Sequence, residues 1–343
     1  PHAVKENQTW RRAPDDPEFP TMKKSGCLVA FLLVAVCVSL FANLILLALL
    51  GAKGATSMAG MKVLEPREYD EEVIEEGSDP HDKIAVIPLA GIIAFEAEGS
   101  LGDAMVEDFK LALKQAAADP DVKAVVIETD SPGGEITASD VLNDAVRNFD
   151  ADKPVIVYFN AIGASGAYYM ACGADWIMCN DTTFTGSIGV IISTLNYRDL
   201  FGKIGLESVV FKSGKFKDML NGAREMSPEE KEYVQGLVMQ SYDRFLGIVA
   251  ASRKLDPEKL RAGPADGRIL SGTDALREKL VDQLGYIEDA YAKARELGQA
   301  PNATVVRYLR HYHFGKLLEF LGESRAAKIQ IDLPGKHTAL EPG

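Results

Sequence analysis

Basic residues are in the minority in this 343-residue chain: 37 Lys and Arg stand against 50 Asp and Glu, a formal charge of −13. Without clustered Lys and Arg to neutralise phosphates, a general nucleic-acid binder is excluded. Cysteine is scarce as well. Four thiols cannot build a disulfide scaffold. Cys27 and Cys37 lie in an apolar run, while Cys172 and Cys179 lack metal-ligand spacing and read as buried thiols. No internal repeat is apparent. What the chain has in quantity is apolar character, 47% beside 25% charged residues, which excludes wholesale disorder. At about 100–200 residues per domain, the length accommodates two domains, or one with appendages.

The longest apolar run, CLVAFLLVAVCVSLFANLILLALL from Cys27 to Leu50, is 24 residues without a charge. As a helix it spans roughly 36 Å, enough to cross a hydrocarbon core of about 30 Å. It exceeds the usual signal-peptide apolar region of about 7–15 residues, so 27–50 is expected to be an uncleaved transmembrane helix. The alternative is a cleaved leader, for which Ala52, Gly54, Ala55 and Ala59 offer small residues. Lys23 and Lys24 precede the run, and an acidic stretch, EPREYDEEVIEEGSDPHD, follows it. The charge bias places residues 1–26 in the cytoplasm and everything after Leu50 outside, single-pass in the cell (inner) membrane. Residues 51–82 read as a solvated acidic stalk.

From Lys83 short apolar runs alternate with helical periods. KIAVIPLAGIIA, VKAVVIETD, PVIVYFN and WIMCN read as strands; AMVEDFKLALKQAAAD, TASDVLNDAVRNF and SGAYYMACGA read as helices. Repeated β-α-β order predicts an α/β domain over 83–300 with a largely parallel sheet covered on both faces. Ser227, Pro228 and Glu230 form a capping box for a long helix, and DALREKLVDQLG reads as another helix ended by Gly285. Residues 301–343 are left as a C-terminal extension. Its VVRYLRHYHFGKLLEFLG segment reads as packing on the domain or a neighbouring subunit, or as a basic amphipathic helix at a membrane.

Three glycine-rich junctions follow predicted strands, where open α/β sheets tend to bind ligands. Asp130-Ser131-Pro132-Gly133-Gly134 is either a plain tight turn or a source of backbone donors for an oxyanion. In Gly163-Ala164-Ser165-Gly166-Ala167, Ser165 is either an uncrowded nucleophile near a helix N-terminus or a simple N-cap. Ser187, in Thr185-Gly186-Ser187-Ile188-Gly189, holds a neutral amine or satisfies a turn. A serine nucleophile needs a base. The five histidines, His2, His81, His311, His313 and His337, all fall outside the central α/β region, which disfavours a Ser-His-Asp arrangement. A lysine kept neutral by desolvation is the remaining common base. Lys203, Lys212, Lys215 and Lys217 are candidates, and side-chain chemistry alone singles out none of them.

The ordered set D-S-P-G-G, G-A-S-G-A-Y-Y-x-A, T-G-S-I-G-V, F-K-S-G-K-F-K-D and G-R-I-L-S-G-x-x-A resembles signal peptide peptidase A and its relatives. These are membrane-anchored Ser-Lys serine endopeptidases with a Clp-protease/crotonase-like fold. The resemblance covers about residues 83–295 and fits the shorter, single-repeat members. It implies Ser165 as nucleophile, Lys217 as general base and Ser187 as the residue positioning the lysine amine. Gly133 and Gly166 are the implied oxyanion donors, with Gly134 supporting the turn. Leu270 stands where many relatives carry an aromatic residue. The resemblance further implies a homo-oligomeric ring with sites shared between subunits, and no metal or organic cofactor. Expected substrates are cleaved signal peptides and other unfolded or membrane-derived peptides. The competing readings are a crotonase-like acyl-CoA enzyme, a catalytically inactive membrane scaffold of the same fold, and a Clp-like peptidase with a histidine base.

Overall fold

The computed structural model describes residues 34–36, 38–41, 43, 69–95 and 105–310. The chain divides into two compact units, 1–66 and 67–343. In the first, the described residues are helical, and the Asn43 side chain donates to the Ser39 carbonyl at 2.7 Å. Most of the expected membrane segment 27–50, the tail 1–26 and the stalk through residue 68 lie outside the described residues. Among the described residues no helix is long and apolar enough to cross a membrane.

In the second unit, nine strands among the described residues form one sheet. They are β1 (Tyr69–Glu75), β2 (Asp79–Ala90), β3 (Val122–Ser131), β4 (Val155–Ala164), β5 (Trp176–Cys179), β6 (Phe184–Gly186), β7 (Ile269–Ser271), β8 (Gln283–Leu284) and β9 (Ala303–Arg310). Along the main path the order is β1-β9-β2-β3-β4-β5-β8, with β6 pairing β4 and β7. All pairings are parallel except β1 with β9 and β6 with β7. The helices are α1 (Met105–Ala118), α2 (Ile136–Arg147), α3 (Gly166–Ala171), α4 (Arg198–Lys203), α5 (Pro228–Arg253), α6 (Pro257–Ala262), α7 (Gly272–Arg277) and α8 (Ile287–Leu297).

The central strands are rich in Val and Ile and buried on both faces, as a covered parallel sheet requires. On one face Ile87, Ile127 and Val157 pack with Phe109, Leu142, Tyr168 and Val249 from α1, α2, α3 and α5. On the other, Val86, Val126 and Ile156 pack against Ala290, Tyr291 and Ala294 of α8. The long helix α5 starts with the expected capping box: the Glu230 amide donates to Ser227 Oγ at 3.2 Å, and the Ser227 amide to Glu230 Oε2 at 2.8 Å.

Two features depart from the periodicity. The sheet takes in residues on both sides of 83–300. β9 runs parallel to β2 and antiparallel to β1, whose acidic sequence reads as a stalk. Two ion pairs link these strands to their neighbours: Lys83 of β2 reaches Glu71 of β1 at 2.9 Å, and Arg307 of β9 reaches Glu128 of β3 at 2.7 Å. The described part of the tail, through Arg310, is thus a strand, while 311–343 lies outside the described residues. The second departure is in DALREKLVDQLG, where α7 stops at Arg277 and residues 283–284 form β8 beside β5. Asp282 draws this segment onto the sheet: its carboxylate accepts from the Ile177 amide at 2.8 Å and from Arg253 at 2.6 and 2.9 Å.

Candidate active site

The carboxyl ends of β3, β4 and β6 lie side by side, with Ser131 opposite Gly163 and Ala164 opposite Gly186. The three glycine-rich junctions meet there. Ser165 joins β4 to α3 with φ 52° and ψ −117°, backbone angles that residues other than glycine rarely adopt. Its amide donates to the Gly186 carbonyl at 2.9 Å. Ser165 occupies the N-cap position of α3, but its hydroxyl makes no capping hydrogen bond to that helix.

Gly133 has φ +95°, and a Cβ there would lie 2.4 Å from the Gly166 nitrogen. A Cβ on Gly166 would lie 2.2 Å from Ser139 Oγ and 3.1 Å from the Gly134 nitrogen. Glycine at these positions lets the two turns close on each other beside Ser165. The Gly133 amide is already engaged, donating to Ser131 Oγ at 3.1 Å, and its carbonyl accepts from the Ile93 amide at 2.9 Å. The amides of Gly134 and Gly166 have no acceptor among the described residues.

A small cavity opens at this junction, lined by Gly134, Ser139, Ser165, Gly166, Tyr169 and Phe245 among others. Ser139 and Phe245 carry no motif, and sequence reasoning missed them; Tyr169 lies within G-A-S-G-A-Y-Y-x-A but is given no role there. A readable signal existed in α2, where Ser139 and Asn143 place two polar groups one turn apart on the apolar face. Asn143 Nδ2 donates to the Tyr169 carbonyl at 2.9 Å. Ser187, half-buried with φ 50°, follows the residue that receives the Ser165 amide, and its own amide donates to the Arg268 carbonyl at 2.8 Å.

Among the candidate bases, Lys212 is paired with Asp218 at 2.7 Å and Lys215 with Glu229 at 2.6 Å. Lys203 closes α4. Lys217 is exposed, and its ammonium has neither an ion pair nor a hydrogen bond among the described residues. It is not among the residues lining the Ser165 cavity. The loop that carries it is anchored next door: Arg224 donates to Asp218 Oδ1 at 2.8 Å and to Glu230 Oε1 at 2.5 Å. Hydrogen bonds from Arg224 and Lys212 hold the Asp218 carboxyl well below the usual range. Arg224, with the Ser227 amide, pulls Glu230 down to about 2.

His81, the only histidine among the described residues, is exposed in β2. Burial pushes the thiols of Cys172 and Cys179 up to about 12, so both are inert at neutral pH. Among the described residues no group of three or more His, Cys, Asp or Glu side chains is placed to hold a metal ion.

Residues 147–300, which include Ser165, Ser187 and Lys217, match peptidase family S49. A putative signal peptide peptidase SppA of Enterococcus faecium is 38% identical over 245 residues, 70% of this chain and 71% of that protein. A putative protease of Methanocaldococcus jannaschii is 39% identical over 190 residues, 55% of this chain and 61% of that one. The chloroplastic serine protease SPPA of Arabidopsis thaliana is 32% identical over 225 residues, 64% of this chain but 33% of that protein. Likeness at this level, over most of the Enterococcus relative and across the serine-bearing turn, means that the chain belongs to the signal peptide peptidase A family and is a serine peptidase.

Proposed function

We propose that the chain is a membrane-anchored endopeptidase that cleaves peptide bonds with a Ser165–Lys217 dyad. The observation that carries this reading is the strained turn at Ser165, which presents an uncommitted hydroxyl between glycine-lined backbone amides. Neutral Lys217 takes the Ser165 proton as Oγ attacks the peptide carbonyl carbon. The tetrahedral oxyanion is held by the Gly134 and Gly166 amides, while Gly133, its amide held by Ser131, shapes the turn. Collapse breaks the C–N bond as protonated Lys217 gives its proton to the leaving amine. Water then hydrolyses the acyl-enzyme, with Lys217 again accepting a proton. Ser187 orients the amine. Each backbone donor is worth roughly 2.7–4 kcal/mol of barrier.

Within one protomer Lys217 stands on an exposed arm and Ser165 in the body of the domain. The arm exposes Ile191, Leu195, Val209 and Phe211 at 87%, 81%, 69% and 96%, an apolar surface that a neighbouring copy would cover. This favours a homo-oligomeric ring in which the lysine of one subunit serves the serine of the next. Residues 27–50 form the anchor, with the N-terminus cytoplasmic and the peptidase domain outside. Substrates are cleaved signal peptides and other membrane-derived or unfolded peptides. Mixing Ser165→Ala protein with Lys217→Ala protein tests the shared site, and hydrolysis is expected to reappear on co-assembly. Co-assembly without any recovered hydrolysis refutes it.

A further inference from the structure

A larger groove, about 250 Å³ in volume, lies between α1 and the strands β2 and β9. Ile87 and Leu89 of β2, Phe109 and Ala112 of α1, and Tyr308 of β9 give it an apolar lining. Its volume exceeds the roughly 150 Å³ that houses a benzene ring, so it has room for a ring with an aliphatic side chain beside it. Arg310 stands on its rim, ion-paired with Asp108, which lines the same groove. Tyr308 stacks on Tyr69 with centroids 6.1 Å apart, and the Tyr69 hydroxyl donates to the Asp108 carbonyl at 2.6 Å. These contacts hold the end of β9 at the mouth of the groove.

Arg310 is the last described residue, and the sequence continues as HYHFGKLLEFLGES. Phe314, Leu317, Leu318 and Leu321 recur at i, i+3, i+4 and i+7. That spacing makes one apolar helix face, and it is the pattern of anchors by which a helix lies in a groove. Gly322 follows the last of them, a common helix stop. Only His311, Tyr312 and His313 separate Phe314 from Arg310, a tether that reaches at most roughly 14 Å. A link this short sets a local concentration in the millimolar range, which favours the chain's own groove over that of a second copy. Neighbouring segments suit the groove poorly. Residues 96–104, EAEGSLGDA, offer Leu101 as their one large apolar residue, and EPRE immediately before Tyr69 offers none.

We infer that this groove is the seat of the chain's own segment 314–321, docked in cis as an amphipathic helix through Phe314, Leu317, Leu318 and Leu321. Of the roles open to this stretch in the sequence, the seat selects packing on its own domain over a neighbouring subunit or a membrane surface. It also bears on β2, whose Leu89 and Ala90 line it and whose continuation carries Ile93. The Ile93 amide donates to the Gly133 carbonyl at 2.9 Å, so the docked segment braces the strand end that supports the paired-glycine turn. The docking itself is independent of the Ser165–Lys217 chemistry.

The test uses the full-length chain with p-benzoylphenylalanine in place of Ala90 or, separately, of Met105, both on the edge of the groove. Chains of ordinary and of heavy-nitrogen composition are mixed and irradiated, and the adducts are mapped by mass spectrometry. Adducts to residues 311–321 within one chain are expected. Leu317→Asp together with Leu318→Asp puts charge on the docking face and should lower their yield by about 10-fold or more. Lys316→Ala together with Glu319→Ala, which the helical spacing places on the opposite face, should leave the yield unchanged. Hydrogen exchange in the protein without the photoprobe gives a second reading. Amides of residues 89–93 and 105–113 should exchange about 10-fold faster or more in the Asp variant and at the unaltered rate in the Ala variant.

Adducts between chains, adducts to lipid, to residues 61–68 or to residues 96–104, or no adduct from either position overturn the inference. So does a yield or an exchange rate that the Asp variant does not change.

Discussion

Gly133→Ala separates a catalytic requirement for glycine from a conformational one. At Gly133 the backbone has φ +95°, and at Gly91 it has φ +89°. Alanine at either position meets the same left-handed penalty, roughly 1–2 kcal/mol. Their surroundings differ. A Cβ at Gly91 has nothing within 4 Å, whereas at Gly133 it falls 2.4 Å from the Gly166 nitrogen, 2.8 Å from the Ala164 carbonyl oxygen and 2.9 Å from Ser165 Cβ. All three of these atoms belong to the turn that carries Ser165. Ordinary contact is about 3.5 Å or more, so the two turns must part by roughly 1 Å, a displacement that costs on the order of 10²-fold in rate. Loss of an oxyanion donor costs about 10²–10³-fold. Gly133→Ala should therefore lower kcat by about 10²–10³-fold, while Gly91→Ala should stay within about 3-fold of the unaltered protein despite the fall in Tm that the shared backbone penalty brings. Single-turnover peptide cleavage alongside thermal unfolding provides both readings. Equal losses of activity in the two variants would refute the account of the paired turns.

Other expectations follow from the same geometry. Lys153 Nζ donates to the carbonyls of Ala116, Ala117 and Asp119 at 2.8–2.9 Å, capping the C-terminal end of α1. Lys153→Met keeps the aliphatic stem, and its loss of charge-assisted bonds should cost about 2 kcal/mol, a Tm drop of roughly 4–8 °C by calorimetry; an unchanged Tm contradicts the cap. Because Glu230 titrates near 2 when folded against 4.5 ordinarily, its bond to Arg224 contributes fully above about pH 4.5 and is lost as pH falls through about 2. Hydrogen exchange over residues 214–225 should accordingly stay slow at pH 5 and quicken below about pH 3, and Arg224→Gln should quicken it at neutral pH. A lysine base has to be neutral to act, so hydrolysis should climb from about pH 5 to pH 9; a flat profile removes Lys217 from that role.

The sequence made the parallel core legible because β2–β5 carry unbroken Val/Ile runs separated by helical periods, and two-sided burial leaves that pattern undisturbed. β1 and β9 were illegible for a physical reason. In YDEEVIE and ATVVRYLR one charge each is paired across the sheet, Glu71 with Lys83 and Arg307 with Glu128, and no local period records such pairing. The short β8 escaped for a similar reason: Asp282 binds the Ile177 amide, a contact 105 residues away, and overrides a good helical pattern.

At the site the difference is sharper. Ser165, Ser187 and the paired glycines stand out because backbone geometry restricts which residues fit, and that restriction leaves a motif. Ser139 and Asn143 sit at contacts between helices, where any residue with a suitable polar end could serve, so they leave none. Lys217 lies between these cases. Chemistry could not choose it among four lysines, but ion pairing in the folded chain engages Lys212 and Lys215 and leaves its amine uncommitted. A residue that must lose its charge to work is better served by having no acid beside it, because a neighbouring carboxylate would hold the proton on. Among the described residues Lys203 and Lys217 alike lack an ion pair, so pairing sets aside Lys212 and Lys215, and only the F-K-S-G-K-F-K-D motif distinguishes Lys217 from Lys203.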